Sequence, residues 1–171
     1  RPDISLELPG DAVGWDVDYP ATKQADNAIT GKRILAIVEG KSIIAWSFQN
    51  RELSGPVSLL KDLPGFLPKG AYPLNFIRDV NTDKLNDIIL PGSGKLHIYL
   101  QDEKGSYDGN IFINTSMIIN SALTTPLNIA GKVGETITIP AMTIRDVNND
   151  KRNDVISTDD KITEVFLGLA D

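Results

Sequence analysis

One nine-residue stretch occurs twice in this chain of 171 residues, and the duplication limits what the chain can fold into. The first copy is Asp79-Val80-Asn81-Thr82-Asp83-Lys84-Leu85-Asn86-Asp87, and the second is Asp146-Val147-Asn148-Asn149-Asp150-Lys151-Arg152-Asn153-Asp154. With Asp79 laid over Asp146, the longer segments Phe76–Leu90 and Thr143–Ser157 are identical at 10 of 15 positions. Identity that dense marks a repeated structural unit. Side chains carrying oxygen recur at positions 1, 3, 5 and 9 of each copy. An apolar run follows at once, Ile88-Ile89-Leu90 or Val155-Ile156. A loop that gathers oxygen ligands round a hard cation and then enters a strand has this pattern.

The rest of the chain sets the frame for that unit. With 41% hydrophobic residues it can build a core, and its length suits one domain or part of a larger one. It has no cysteine, which excludes disulfides and thiolate metal sites. The net charge of -6, without a basic cluster, argues against nucleic acid as a partner. No apolar run approaches the roughly 20 residues of a helical membrane span. The start Arg1-Pro2, without methionine, reads as a processed or excised end.

Taken in order, Ile4, Leu6 and Leu8 alternate and predict a short strand, as do Trp15–Tyr19. Residues 20–32 are polar and loop-like. Ile34–Val38, a turn at Glu39–Lys41, Ser42–Phe48 and a turn at Gln49–Glu52 form one passage. Asp87–Leu90, Pro91–Lys95, Leu96–Leu100 and Gln101–Gly105 form a second with the same order and lengths, and Trp46 falls where Tyr99 falls. The first passage is therefore a worn copy of the unit, its loop reduced to Asp26 and Asn27. Tyr107–Ile119 is strand-rich, Asn120–Glu135 reads as a longer loop, Thr136–Ile139 alternates, and Lys161–Leu167 is the last strand candidate. No convincing amphipathic helix is present, and 14 glycines and 10 prolines keep the apolar runs short. Short strands with frequent turns predict an all-β fold, and repetition with about four strands per unit predicts propeller blades over a sandwich.

The segment Phe76–Leu90, with its echo at Thr143–Ser157, resembles the FG-GAP/VCBS repeat, the calcium-loop blade of integrin α-subunit propellers and of many bacterial surface and secreted proteins. The resemblance covers two blades well and a third weakly. It implies a loop between the first two strands of a blade that binds Ca²⁺ through side chains at positions 1, 3, 5 and 9 and a backbone carbonyl at 7. The implied ligands are Asp79, Asn81, Asp83 and Asp87 with the carbonyl of Leu85, and Asp146, Asn148, Asp150 and Asp154 with the carbonyl of Arg152. The implied units are a degenerate blade over 15–62 and calcium-loop blades over 70–119 and 136–171. The family's usual glycine at position 6 is replaced by Lys84 and Lys151. If the backbone there is left-handed, a side chain costs roughly 1–2 kcal/mol.

Other readings compete for the same residues. Ca²⁺ takes six to eight oxygen ligands, and three carboxylates bent round one point repel unless a cation sits among them. The plain alternative is an Asx-rich turn without metal. A dockerin or EF-hand needs a carboxylate at position 12, where this chain has Leu90 and Ser157, and helical flanks where the sequence predicts strands. Pro91-Gly92-Ser93-Gly94-Lys95-Leu96 lacks the spacing of a phosphate loop and reads as a hairpin turn. His97 lies in a predicted strand, facing solvent, with no nucleophile pattern near it. Asn114-Thr115-Ser116 is a glycosylation sequon. Trp15, Trp46, Tyr72 and Tyr99 read as core before they read as a sugar-stacking surface.

The expected function is a non-catalytic, calcium-binding propeller segment serving as a binding, adhesion or assembly scaffold. The expected compartment is extracellular, cell-surface or periplasmic, where millimolar Ca²⁺ suits weak sites. The alternative is the substrate-holding part of a secreted polysaccharide-degrading enzyme, lyase-like, with its catalytic residues elsewhere. Expected partners are an unidentified protein or glycan, and the remaining blades of a longer chain or another subunit. About three units fit the length, and closed propellers have four to eight blades.

Overall fold

A computed structural model of the chain describes residues 4–7, 12–18, 33–39, 41–49, 51–63, 72–92, 94–116, 120–124, 134–138 and 140–168. The fold is all-β, with no helix among the described residues. Sheet A contains β1 (Ala12–Asp18), β2 (Arg33–Glu39), β3 (Ser42–Gln49), β4 (Glu52–Leu60) and β5 (Tyr72–Pro73), in the order β4-β3-β2-β1-β5. Sheet B is β6 (Ile77–Arg78), β7 (Asp87–Gly92), β8 (Lys95–Gln101) and β9 (Tyr107–Asn114), paired in chain order. Sheet C is the hairpin β10 (Asn120–Thr124) and β11 (Gly134–Thr138), and sheet D is β12 (Ala141–Arg145), β13 (Asp154–Thr158) and β14 (Thr163–Phe166). All pairings are antiparallel except β1 with β5.

The strands carry the repeat. The alignment that matches Asp79 with Asp146 lays Asp87 at the start of β7 over Asp154 at the start of β13, and β8 over β14. The alignment that matches Trp46 with Tyr99 lays β2, β3 and β4 over β7, β8 and β9. Sheets A, B and D each contain consecutive strands paired antiparallel in chain order, and sheet A adds the short parallel β5. Asp26 and Asn27, read as the remnant loop of the first version, lie outside the described residues.

The core explains the differences in strand pattern. Sheet B lies between A and D. On one side Ile88, Leu90, Tyr99 and Tyr107 pack with Val13, Ile43, Ala45 and Phe76. On the other Val80, Ile89, Leu96 and Ile98 pack with Met142 and Val155. Because β7 is covered on both faces, all six of its residues are buried, and its sequence is a continuous apolar run after Asp87. An Ile or Leu buried this way stabilises the fold by about 1.5–3 kcal/mol before entropy is counted. In β3 the alternation survives: Ile43, Ala45 and Ser47 are buried toward B, and Ile44, Trp46 and Phe48 lie on the opposite face.

Four expectations change. Residues 4–7 form no strand; with no strand beside it, this segment lays Leu6 on the cluster of Ala12 and Trp46. The stretch 120–135, read as a loop, contains β10 and the start of β11, whose Thr and Ile content suits paired strands, while Pro126 and Gly131 fall between the two in sequence. His97 is half-buried in β8, with Asn110 Nδ2 3.4 Å from its Nδ1, so it does not simply face solvent. The last strand is Thr163–Phe166, shorter than Lys161–Leu167. The glycine-rich 91–96 does form a hairpin turn, with Gly92 opposite Lys95. Trp46 and Tyr99 are core residues at 9% and 7% exposure, whereas Trp15 is 37% exposed, and the side chain of Tyr72 lies outside the described residues.

Candidate cation-binding loops

Both copies of the nonapeptide connect the first two strands of a meander, β6 to β7 and β12 to β13. They share one hydrogen-bond scheme. Position 1 accepts from the main-chain N–H of position 6: Lys84 N to Asp79 Oδ2 is 3.1 Å, and Lys151 N to Asp146 Oδ2 is 2.8 Å. Position 3 accepts from position 5, through Asp83 N on Asn81 Oδ1 at 3.2 Å and Asp150 N on Asn148 Oδ1 at 3.0 Å. Position 5 accepts from position 7, through Leu85 N on Asp83 Oδ1 at 2.7 Å and Arg152 N on Asp150 Oδ1 at 2.9 Å. The last two are successive Asx turns, in which a short side chain with an oxygen closes a ring with the backbone two residues on, while the first spans five residues. That is why Asp and Asn alternate.

Position 9 has a different task. Asp87 Oδ2 accepts from Val80 N at 2.9 Å, and its Oδ1 accepts from Gln101 N at the end of β8, also at 2.9 Å. Asp154 repeats this with Val147 N at 2.8 Å and Gly168 N at 2.6 Å. Each carboxylate clips its loop to the end of the third strand. Both are fully buried at 0% exposure. Burial pushes the Asp87 carboxyl up to about 6 against the two N–H donors that hold it down, and the charges of Asp83 and Asp79 push the same way as burial. Asp150, fully exposed, is held below the ordinary range by the Arg152 N–H and the Asn148 side chain. Gln101 continues the first clip inward, donating from Nε2 to Tyr107 Oη at 3.1 Å, and Tyr107 donates to the Asn86 carbonyl at 3.2 Å.

Lys84 and Lys151 have left-handed backbones, with φ of 73° and 71°. The turn at position 6 brings their N–H groups back to position 1. Both side chains are exposed, and neither ammonium forms an ion pair among the described residues. Thr82 and Asn149 at position 4 are left-handed as well, with φ of 66° and 64°.

The fit to a cation differs between the copies. Asp79 Oδ1 is buried and has no hydrogen-bond partner, the state of an oxygen that a cation would satisfy. Asp146 instead uses both oxygens, with Oδ1 accepting from Asn149 N at 2.6 Å. In both loops the position 3 amide donates to position 5 at 3.0 Å, through Asn81 Nδ2 and Asn148 Nδ2. Among the described residues no three Asp, Glu, His or Cys side chains converge as a metal-binding group. The carboxylates are turned to N–H donors, the arrangement that keeps like charges apart. The donor set, with three carboxylates and an amide oxygen per loop, is nevertheless that of a hard-cation site, and the unsatisfied Asp79 oxygen fits it.

Sequence reasoning missed the residues that tie the loops to the body. Asn153 of the second loop donates from Nδ2 to the carbonyl of Asp79 at 2.8 Å, linking the two copies. Asn81 and Asn153 border a cleft of about 450 Å³ between sheets B and D, walled by Ile98, Ile111, Val155 and Phe166. Asp16, 5% exposed in β1, accepts from Ile77 N at 2.9 Å and from Arg78 Nη1 at 3.1 Å, joining sheet A to B next to the first loop. In sequence, the duplicated Asn at position 8 was the one signal for Asn153, and nothing marked Asp16 among the acidic residues. No family model, no curated protein and no solved structure matches the chain.

Proposed function

We propose that the chain is a calcium-binding β-propeller segment that acts outside the cytoplasm as a non-catalytic binding or assembly scaffold. The observation that carries this reading is the buried, unpartnered Oδ1 of Asp79 at the head of a loop whose hydrogen-bond scheme is repeated from Asp146 onward. The residues that would hold the ion are Asp79, Asn81, Asp83, Asp87 and the carbonyl of Leu85, and in the second loop Asp146, Asn148, Asp150, Asp154 and the carbonyl of Arg152. A bound Ca²⁺ supplies positive charge and oxygen coordination, with no chemistry on a substrate. The chain's own contribution is placement: Asx turns order each loop, and the buried position 9 carboxylates tie the loops to Gln101 at the end of β8 and to Gly168 after β14.

Thermal melts in EGTA and in millimolar Ca²⁺ test the reading. Saturation at 100 times Kd adds about 2.7 kcal/mol of stability. The melt should rise by several degrees in Ca²⁺, and Asp79→Ala should remove most of the rise that belongs to the first loop. Coincident melts for the unaltered chain would sink the calcium reading.

A further inference from the structure

Sheet B shows what the outward face of this meander requires. Of its residues facing D, Ile111 at the edge of the cleft is 43% exposed, while Val80 at 8%, Ile89 at 0% and Ile98 at 1% exposure are covered. Their counterparts in the second copy are Val147, Ile156 and Val165. Val155 and Phe166 pair across β13 and β14 and line the side toward B, so the neighbouring pair Ile156 and Val165 points away from B. Val147 is 44% and Val165 49% exposed, and Ile156 is half-buried. The corresponding face is thus mostly covered in sheet B and, among the described residues, uncovered in sheet D, where Val147, Ile156 and Val165 stand beside Thr158 and Thr163.

The opposite end of the stack is apolar too. Ile43 and Ala45 face B, so Ile44, Trp46 and Phe48 face away, and Trp15 shares their row through the register Trp15–Ile37–Ile44. Leu6 covers part of this face beside Trp46, yet Phe48 remains 44% and Trp15 37% exposed. One chain therefore carries two different apolar sheet faces at opposite ends of its stack, and stacked repeats bury such faces only against a neighbour.

We propose that copies of this chain associate head to tail, with the outer face of sheet D in one copy packing on the outer face of sheet A in the next. The contact continues the stacking already made by A on B and B on D. It pairs aliphatic Val147, Ile156 and Val165 with aromatic Trp15 and Phe48. It is heterologous, so it ends either in a closed ring or in an open array. The inference rests on the strand repeat and stands whether or not the loops take a cation.

Sedimentation of the intact chain, in EGTA and in Ca²⁺, is the test. The unaltered chain should associate reversibly in both. Val165→Asp and Phe48→Asp, at exposed strand positions, should each weaken association by about tenfold or more while circular dichroism stays unchanged. Trp15→Glu replaces Phe48→Asp should that variant unfold. An equimolar mixture of the D-face and A-face variants should regain association, because one intact face of each kind remains. A monomer at every concentration would overturn the proposal. So would loss of association in Val165→Asp alone, which would mean that two D faces meet across a two-fold axis, or a mixture that stays dissociated.

Discussion

At the scale of single residues, the lysines at position 6 hold the most telling geometry. The backbone of Lys84 is left-handed because its N–H must reach Asp79 Oδ2, a conformation that glycine adopts without strain. Its ammonium makes no ion pair among the described residues, so the side chain does not serve as a substitute counter-ion in the loop. Lys84→Gly is therefore expected to relieve roughly 1 kcal/mol of strain, offset in part by the greater freedom of the unfolded glycine. Calorimetric titration of the variant should show tighter Ca²⁺ binding, and its melt in EGTA should be unchanged or higher. A weaker Ca²⁺ affinity would show that the loop needs the lysine. The same substitution at Lys151, with φ of 71°, should behave alike.

At the scale of elements, the ends of β8 and β14 decide whether the loops stay closed. The chain leaves β14 against the second loop at Gly168, where a Cβ would lie 2.6 Å from Arg152 Cβ and 2.8 Å from the Asn153 carbonyl. Gly168→Ala must push the strand end off the loop and stretch the N–H bond to Asp154, at an expected cost of about 1–3 kcal/mol. Urea denaturation should show a lower midpoint for this variant; an unchanged midpoint would mean that the strand end is not fixed there. A second tie joins β14 to the end of β9: Glu164 accepts from the Ser116 and Thr115 hydroxyls and, at 3.0 Å, from Ser116 N. The Ser116 side chain, then that of Thr115, holds the Glu164 carboxyl below its ordinary 4.5. A carboxylate whose folded pKa is depressed contributes stability above its unfolded value and loses it as pH falls through the folded one. The tie should thus be intact at neutral pH and weaken below 4.5, by about a few tenths of a kcal/mol at a site so open to solvent. Glu164→Gln should flatten that part of the stability–pH curve, and a curve identical to that of the unaltered chain would show that the tie contributes nothing.

At the scale of the whole molecule, sheets A, B and D are held together by two apolar clusters, one on each face of B, and by polar links between the sheets. Asp16 is one link from sheet A to sheet B, and its removal takes the acceptor from Ile77 N and an ion pair from Arg78. Asp16→Ala should cost about 2–3 kcal/mol, as for a buried hydrogen bond to a charged group. Hydrogen exchange should rise across β6 and the first loop together, since the loop begins one residue after Arg78. Faster exchange confined to β1 would show that the sheets are coupled through the core alone.

The sequence by itself determined the local features. The alternation of Asp and Asn in two copies set the Asx turns, because each turn closes within a few residues and needs only its own side chain. Strands β7, β8, β9, β13 and β14 were equally legible, since short apolar runs between glycines and prolines leave few other choices, whereas β6 and β12 were not foreseen. The tertiary structure alone decided the rest. Ile4–Glu7 alternates like a strand yet pairs with no strand among the described residues, and Asn120–Thr124 pairs with Gly134–Thr138 in a stretch that carries turn residues, because pairing depends on what lies alongside. Asp16 carries no local pattern and Asn153 only its place in the repeat, and their partners lie 61 and 74 residues away. The two copies of one loop also end in different states. Asp79 keeps an oxygen buried without a donor while Asp146 has both oxygens satisfied, although the two segments share most of their residues. Val80 and Leu85 of the first loop are buried, whereas their counterparts Val147 and Arg152 in the second are exposed, so the packing around the two loops differs.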